Sequence, residues 1–174
     1  MFNILNNLSP FIENCYRKIS VREYSNLIKV VPATSSKLLK SYEKQGLLKS
    51  YSERRFIFFY ANRDSMNFID LARIYWRNKI EKTGILEKIN KESINPVLVL
   101  FGSLAKAENK LDSDMDLAII TKNNKKIDLT NYEQKMKRKI QIFQFSSIQQ
   151  SKNKHLTNNI INGYIIQGKV ILDD

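Results

Sequence analysis

Five consecutive apolar residues, Val97-Leu98-Val99-Leu100-Phe101, run into Gly102-Ser103. After ten intervening residues, Asp114-Met115-Asp116-Leu117 opens a second apolar run. An apolar run without polar alternation is a strand covered on both faces, so layers must pack on either side of it. Met115–Ile120 reads as a second strand of this kind and Ile140–Phe145 as a third, with Asn95-Pro96 opening the region. Helical patterns fall at Thr130–Lys137 and Lys154–Gln167. Gly168 is expected to stop the last helix, and Val170-Ile171-Leu172 to close as a short strand. The chain therefore reads as α+β, with a small mixed α/β domain over residues 92–174.

The paired aspartates carry the chemistry. Side chains alternate along a strand, so Asp114 and Asp116 project from one face while Met115 and Leu117 pack on the other. Two adjacent carboxylates repel unless a cation lies between them. A hard, oxygen-seeking Mg²⁺ or Mn²⁺ suits that pair, because it also binds the oxygens of a substrate phosphate. Gly102 lets the backbone turn sharply and approach a polyphosphate, and the Ser103 hydroxyl can hold phosphate oxygens. Lys106 or Lys110 can add positive charge.

The first third of the chain has a different period. Ser9-Pro10 is expected to start a helix carrying Phe11, Ile12, Cys15, Tyr16 and Ile19. Ser20 and Glu23 form a capping box for a second helix running to about Lys29. Val30–Ala33 breaks it, and Thr34 is expected to cap a third helix ending near Gly46. Leu47–Tyr51 and Phe56–Tyr60 read as a hairpin with a tip at Ser52–Arg55. Residues 64–90 then read as one long helix with Phe68, Ile69, Ala72, Tyr75, Trp76 and Ile80 as its apolar stripe. That stripe suits a core or a homodimer contact.

Charge is unevenly spread. Residues 1–63 hold eleven Lys/Arg against four Glu, a net +7 within a chain of net +12. A basic first module is the footprint of a protein that meets phosphates. The single cysteine, Cys15, excludes an internal disulfide and is expected to be a buried thiol. With no leader pattern and no apolar run long enough to cross a bilayer, a cytoplasmic protein without membrane contact is expected. His155 is expected to be a surface or capping residue, and no Cys/His cluster suggests zinc.

Two resemblances join these readings. Residues 8–63, with their short helix, turn, Thr34–Gln45 helix and basic hairpin, resemble the small winged-helix regulators of bacteria and archaea. The resemblance implies a winged helix-turn-helix over residues 1–63 that binds double-stranded DNA. Its third helix would enter the major groove through Ser35, Ser36, Lys37, Lys40 and Lys44, with Arg54 and Arg55 at the wing. Residues 64–91 would be a linker helix. The stretch Leu100-Phe101-Gly102-Ser103-Leu104-Ala105-Lys106-Ala107 … Ser113-Asp114-Met115-Asp116-Leu117 is similar to the signature of the polymerase-beta-like nucleotidyltransferases, most of all the minimal ones. A winged helix ahead of such a domain is similar to the archaeal arrangement.

The second resemblance implies Mg-dependent transfer of a nucleotidyl group from a nucleoside triphosphate, ATP the expected one, to a protein or small-molecule hydroxyl. Asp114 and Asp116 would be the catalytic metal ligands, with Gly102, Ser103 and Lys106 binding nucleotide. It also implies an antitoxin-like role toward a helical partner protein. The family's pattern sets a third carboxylate on the next strand, and that place falls at Gln141. The sequence offers no clear substitute; Glu133 on the preceding helix and Asp112 in the loop before Asp114 are the acids that could reach in. The alternative reading is a non-catalytic DNA-binding transcriptional regulator that senses nucleotide through a degenerate domain.

Overall fold

A computed structural model describes residues 2–122 and 125–170. The chain is mixed α+β and divides into two compact units, one of residues 1–75 with 107–111, the other of residues 76–106 with 112–174.

The first unit opens with α1 (Phe2–Ile12). The sequence predicts a helix starting at Ser9-Pro10; instead Pro10 lies inside α1, near its end. A proline there removes the amide that would bond the carbonyl four residues back. The Ser9 hydroxyl donates to that carbonyl, Asn6 O, at 2.7 Å, which satisfies it locally. β1 (Ile19–Ser20) follows, then α2 (Val21–Ile28), where Ser20 Oγ accepts from the Glu23 amide as the capping box requires. α3 (Pro32–Lys44) begins two residues before the expected Thr34, because Pro32 at its first turn supplies helical φ without needing its missing N–H.

β2 (Leu48–Glu53) and β3 (Phe56–Ala61) pair antiparallel through a turn at Arg54-Arg55, tighter than the four-residue tip expected. Arg54 takes φ 56°, the left-handed conformation that such a turn needs. β1 adds to β3, giving the order β1-β3-β2. Leu8, Phe11, Ile12, Ile19, Tyr24, Leu39 and Phe59 are fully or almost fully buried in this unit. Cys15 is buried, as expected, and donates to Asn109 Oδ1 at 3.3 Å. Asn109 Nδ2 donates to the carbonyls of Ile12 and Glu13, so the amide is satisfied inside the core.

The helix expected over 64–90 is two helices, α4 (Met66–Thr83) and α5 (Ile85–Glu92), separated by Gly84 at φ 87°. Phe68, Ala72, Trp76 and Ile80, four residues apart each time, are buried along α4.

The second unit is built on β4 (Val97–Phe101), a short α6 (Gly102–Ala105), β5 (Met115–Ile120), α7 (Glu133–Met136), β6 (Ile140–Phe145), α8 (Lys154–Ile161) and β7 (Tyr164–Gln167). The sheet order is β6-β5-β4-β7, with β5 and β6 parallel and the other pairs antiparallel. Helix was expected through Gln167. The chain instead leaves α8 at Ile161 and turns at Asn162-Gly163, so that Ile165 and Tyr164 pair with Val99 and Leu100. Edge pairing with a central strand thus overrides helical periodicity. Of the short strand expected over 170–172, Val170 has no strand structure, and Ile171 and Leu172 lie outside the described residues.

Leu98, Val99 and Leu100 on β4 and Leu117, Ala118 and Ile119 on β5 are fully buried, as runs covered on both faces require. Val99, Phe101, Ala118, Ile148 and Ile160 form one core cluster, with Phe143 edge-on to Phe101 at 5.3 Å.

Candidate active site

Register places the site. Phe101 at the end of β4 faces Asp116 on β5, and Asp116 faces Gln141 on β6. Gly102 is the next residue beyond Phe101, at φ 69°. A Cβ added there would overlap Asp116 Oδ2, so only glycine lets backbone and carboxylate approach this closely. The sharp turn read from Gly102 therefore has a specific cause: the space above it is taken by the Asp116 carboxylate.

Asp114 sits one residue before β5 and shares the exposed side of the strand with Asp116. Both are partly buried, and Met115 between them is fully buried. Burial, and then the charge of Asp114, raise the Asp116 carboxyl above its ordinary range. Asp116 is thus the acid of the pair whose charged form is disfavoured in the folded protein.

Gln141 Nε2 donates to Asp114 Oδ2 at 2.6 Å. Among the described residues, no group of three His, Cys, Asp or Glu side chains is placed to hold a metal ion. The proposed substitutes are otherwise engaged or displaced: Glu133 Oε1 accepts from the Ile140 amide at 2.9 Å, and Asp112 is exposed in the loop before Asp114. The oxygen donors brought together are the two carboxylates, with the Gln141 amide beside them. An amide presents either its nitrogen or its oxygen by rotation, so this set fits one hard divalent cation with less negative charge than three acids would give.

Ser103 is in α6 and partly exposed, and Lys106 follows that helix. Lys106 Nζ is exposed and donates to Asn159 Oδ1 of α8 at 3.3 Å. Two supports escaped the sequence reading. Arg138, 8% exposed, donates to Ser113 O at 2.7 Å, and its guanidinium lies 4.9 Å from the Trp76 ring centroid. The Met115 amide donates to Lys139 O at 2.9 Å. Together they fix the backbone on either side of Asp114. The only sequence signal for Arg138 is its place two residues before the third strand. His155 is exposed at the start of α8, as expected. An apolar hollow of about 470 Å³, lined by Val97, Ile120, Lys122, Ser147 and Ile148 among others, lies at the opposite ends of β4 and β5.

The residues expected to meet DNA are all in the first unit. Lys37, Lys40 and Lys44 are exposed on α3 at spacings of three and four, which sets them on one face. Arg54 and Arg55 are exposed at the hairpin turn, and Ser36 is partly exposed. Ser35 is a correction: it is fully buried, on the same side of α3 as Leu39 and Tyr42, and cannot touch a ligand. The early start of α3 at Pro32 makes Ser35 an interior position of the helix.

No curated protein and no solved structure matches this chain. The sequence model of the family described as "Polymerase beta, Nucleotidyltransferase" matches residues 83–173, over half of the chain and including every strand of the second sheet. With the acid pair, its glycine and their register already in place, the chain belongs to the polymerase beta nucleotidyltransferase family.

Proposed function

We propose that this protein is a magnesium-dependent nucleotidyltransferase coupled to DNA binding. The observation that carries the proposal is the juxtaposition of Gly102 against Asp116 in register with Gln141. Asp114 and Asp116 would hold the divalent ion, Mg²⁺ or Mn²⁺. When bound, the ion neutralises phosphate charge and orients the α-phosphate for in-line attack. The turn at Gly102 lets the backbone approach the triphosphate, the Ser103 hydroxyl donates to a phosphate oxygen, and Lys106 leaves Asn159 to meet phosphate charge. ATP is the proposed donor. The acceptor is a hydroxyl of a small molecule or of a partner protein such as a helical toxin, with pyrophosphate leaving.

The domain assignment belongs to the same reading. Residues 1–63 would be a winged helix-turn-helix and 64–91 a linker to the catalytic domain at 92–174. The protein would be a cytoplasmic homodimer reading two half-sites of duplex DNA. The exposed lysines of α3 and the arginines of the hairpin turn support the duplex assignment. Incubation with α-labelled ATP, Mg²⁺ and candidate acceptors tests the enzyme: label enters an acceptor with the wild type and not with Asp114→Asn. Equal labelling by the two proteins refutes it.

A second reading rests on Gln141. Its amide occupies one oxygen of Asp114 and brings no charge, which favours a nucleotide sensor that regulates DNA binding without transfer. In that case ATP–Mg²⁺ raises the melting temperature and shifts duplex affinity while no acceptor is labelled.

A further inference from the structure

We propose that the outer face of the β2–β3 hairpin binds an unpaired DNA strand, one base per aromatic ring. Leu48, Phe59 and Ala61 turn inward and are buried, so the alternate residues Lys49, Tyr51 and Glu53 of β2, and Phe56, Phe58 and Tyr60 of β3, form the outer face. Four of those six are aromatic, where a solvated sheet face is ordinarily polar.

The rings form a continuous platform. Tyr51 stacks on Phe58 with centroids 5.6 Å apart, and Tyr60 lies 6.2 Å from Tyr51. Phe56 extends the row toward the turn and is 64% exposed. Cations are interleaved with the rings. Lys18 Nζ lies 4.7 Å from the Tyr51 centroid, and the Arg63 guanidinium 4.0 Å from that of Tyr16, itself exposed. Arg54 and Arg55 stand at the far end of the row, at the turn. Where Tyr16, Lys18, Lys49, Tyr60 and Arg63 converge, they line a hollow of about 220 Å³. The acids on this side are Glu53 and Asp64, the latter bound to Lys49 at 2.6 Å. Five basic groups against two acids leave the platform positive.

Spacing selects the occupant. Phe56, Phe58 and Tyr60 recur every second residue of a strand, about 6.8 Å apart. Bases in a duplex stack at about 3.4 Å, half that pitch, and their faces are hidden by one another. Only an extended, unpaired strand presents one open base to each ring, and the interleaved cations then meet its phosphates. The strand is taken as DNA, the nucleic acid already proposed as the ligand of α3 and the hairpin turn, and the test separates it from RNA. The inference shares Arg54 and Arg55 with the proposed duplex contact but does not depend on α3, whose lysines are separate residues with a separate proposed ligand.

The test is a titration of the full-length chain against a labelled oligothymidylate of about fifteen nucleotides, in low salt without nucleotide. A Kd on the order of 10 µM or tighter is expected. Tyr51→Ala with Phe56→Ala weakens binding at least about tenfold, with affinity for a duplex of equal length unchanged within about twofold. Should that double variant not fold, Phe56→Ala alone, at an exposed position, is expected to cost at least about threefold. Unchanged binding by a folded ring variant overturns the proposal. So does loss of single-strand binding in Lys37→Ala/Lys40→Ala instead, or tighter binding of oligouridylate than of oligodeoxyuridylate. Single-strand binding without any duplex binding would refute the duplex reading of α3 and leave this one standing.

Discussion

The two units handle charge in opposite ways. In the second, two negative groups are forced together by strand register, crowded by a glycine and capped by one amide. In the first, positive groups are spread over an α3 face and a hairpin, mostly exposed, with no one group that the others require. Register makes a site in which each atom matters; a surface field is a sum in which each member matters little. The contrast sets the expected scale of every substitution.

Asp116→Asn is expected to have the largest effect. Nucleotidyl transfer should fall by about a hundredfold or more, measured as labelled acceptor per unit time. The same substitution should raise the melting temperature of the ligand-free protein. The Asp116 carboxyl is held above its ordinary range by burial and by Asp114, so its charged form is disfavoured in the folded state. The sign fixes the pH dependence. The gain from Asn is present above the raised folded-state pKa and fades as pH falls through it toward the ordinary carboxylate value, where wild-type Asp116 is protonated in both states. A variant less stable than wild type at neutral pH would show that the folded state does not disfavour the Asp116 charge.

Gly102→Ala comes next. It places a methyl group where Asp116 Oδ2 now lies and asks alanine to adopt φ 69°. The backbone cost alone is about 1–3 kcal/mol, and displacement of the acid should lower activity about tenfold to a hundredfold. Thermal melting and the same transfer assay read both. Gln141→Glu acts in the other direction. A third carboxylate replaces the amide that donates to Asp114, so Mn²⁺ affinity should rise about tenfold while the metal-free protein melts lower. Unchanged Mn²⁺ affinity by calorimetry would place the ion away from β6.

How much of this was readable beforehand follows the same divide. Three strands of the second sheet, β4, β5 and β6, and the acid pair were legible because an uninterrupted apolar run and a two-residue alternation admit one reading. The place of Gln141 was legible only through the family's pattern. β7 was not legible: Tyr164–Gln167 continues a helical apolar period, and only pairing with β4 makes it a strand. Arg138 was missed because a lysine-rich stretch, Lys135 to Lys139, hides the one buried cation within it. In the first unit the capping box at Ser20 was readable from local chemistry, whereas the start of α1 was not. There the sign of a helix start, Ser-Pro, sits near a helix end, and the serine hydroxyl makes good the proline's missing bond.

On the basic side, effects should be small and additive. Lys37→Ala, Lys40→Ala, Arg54→Ala and Arg55→Ala should each weaken duplex binding a few-fold and reduce the slope of log affinity against log salt by about one. One of these four abolishing binding by itself would break the contrast, since it would make the surface a site in the sense that Asp116 is.

The smallest expected effect belongs to Ser35, and it is the sharpest on the geometry of α3. Ser35 is fully buried, and its Oγ has no hydrogen-bond partner. A hydroxyl buried without a partner costs the folded state its lost hydration, so removing it relieves a penalty. The methyl group of alanine fits the same space and favours helix slightly more than serine does. Ser35→Ala should therefore leave duplex affinity unchanged within about twofold and shift stability by at most about 1 kcal/mol, toward the folded state. The neighbouring Lys37→Ala moves affinity and leaves stability alone. Two residues apart on one helix, the pair separates burial from contact. A Ser35→Ala protein that binds duplex DNA tenfold more weakly by gel shift would mean that α3 is rotated about its axis from the arrangement described.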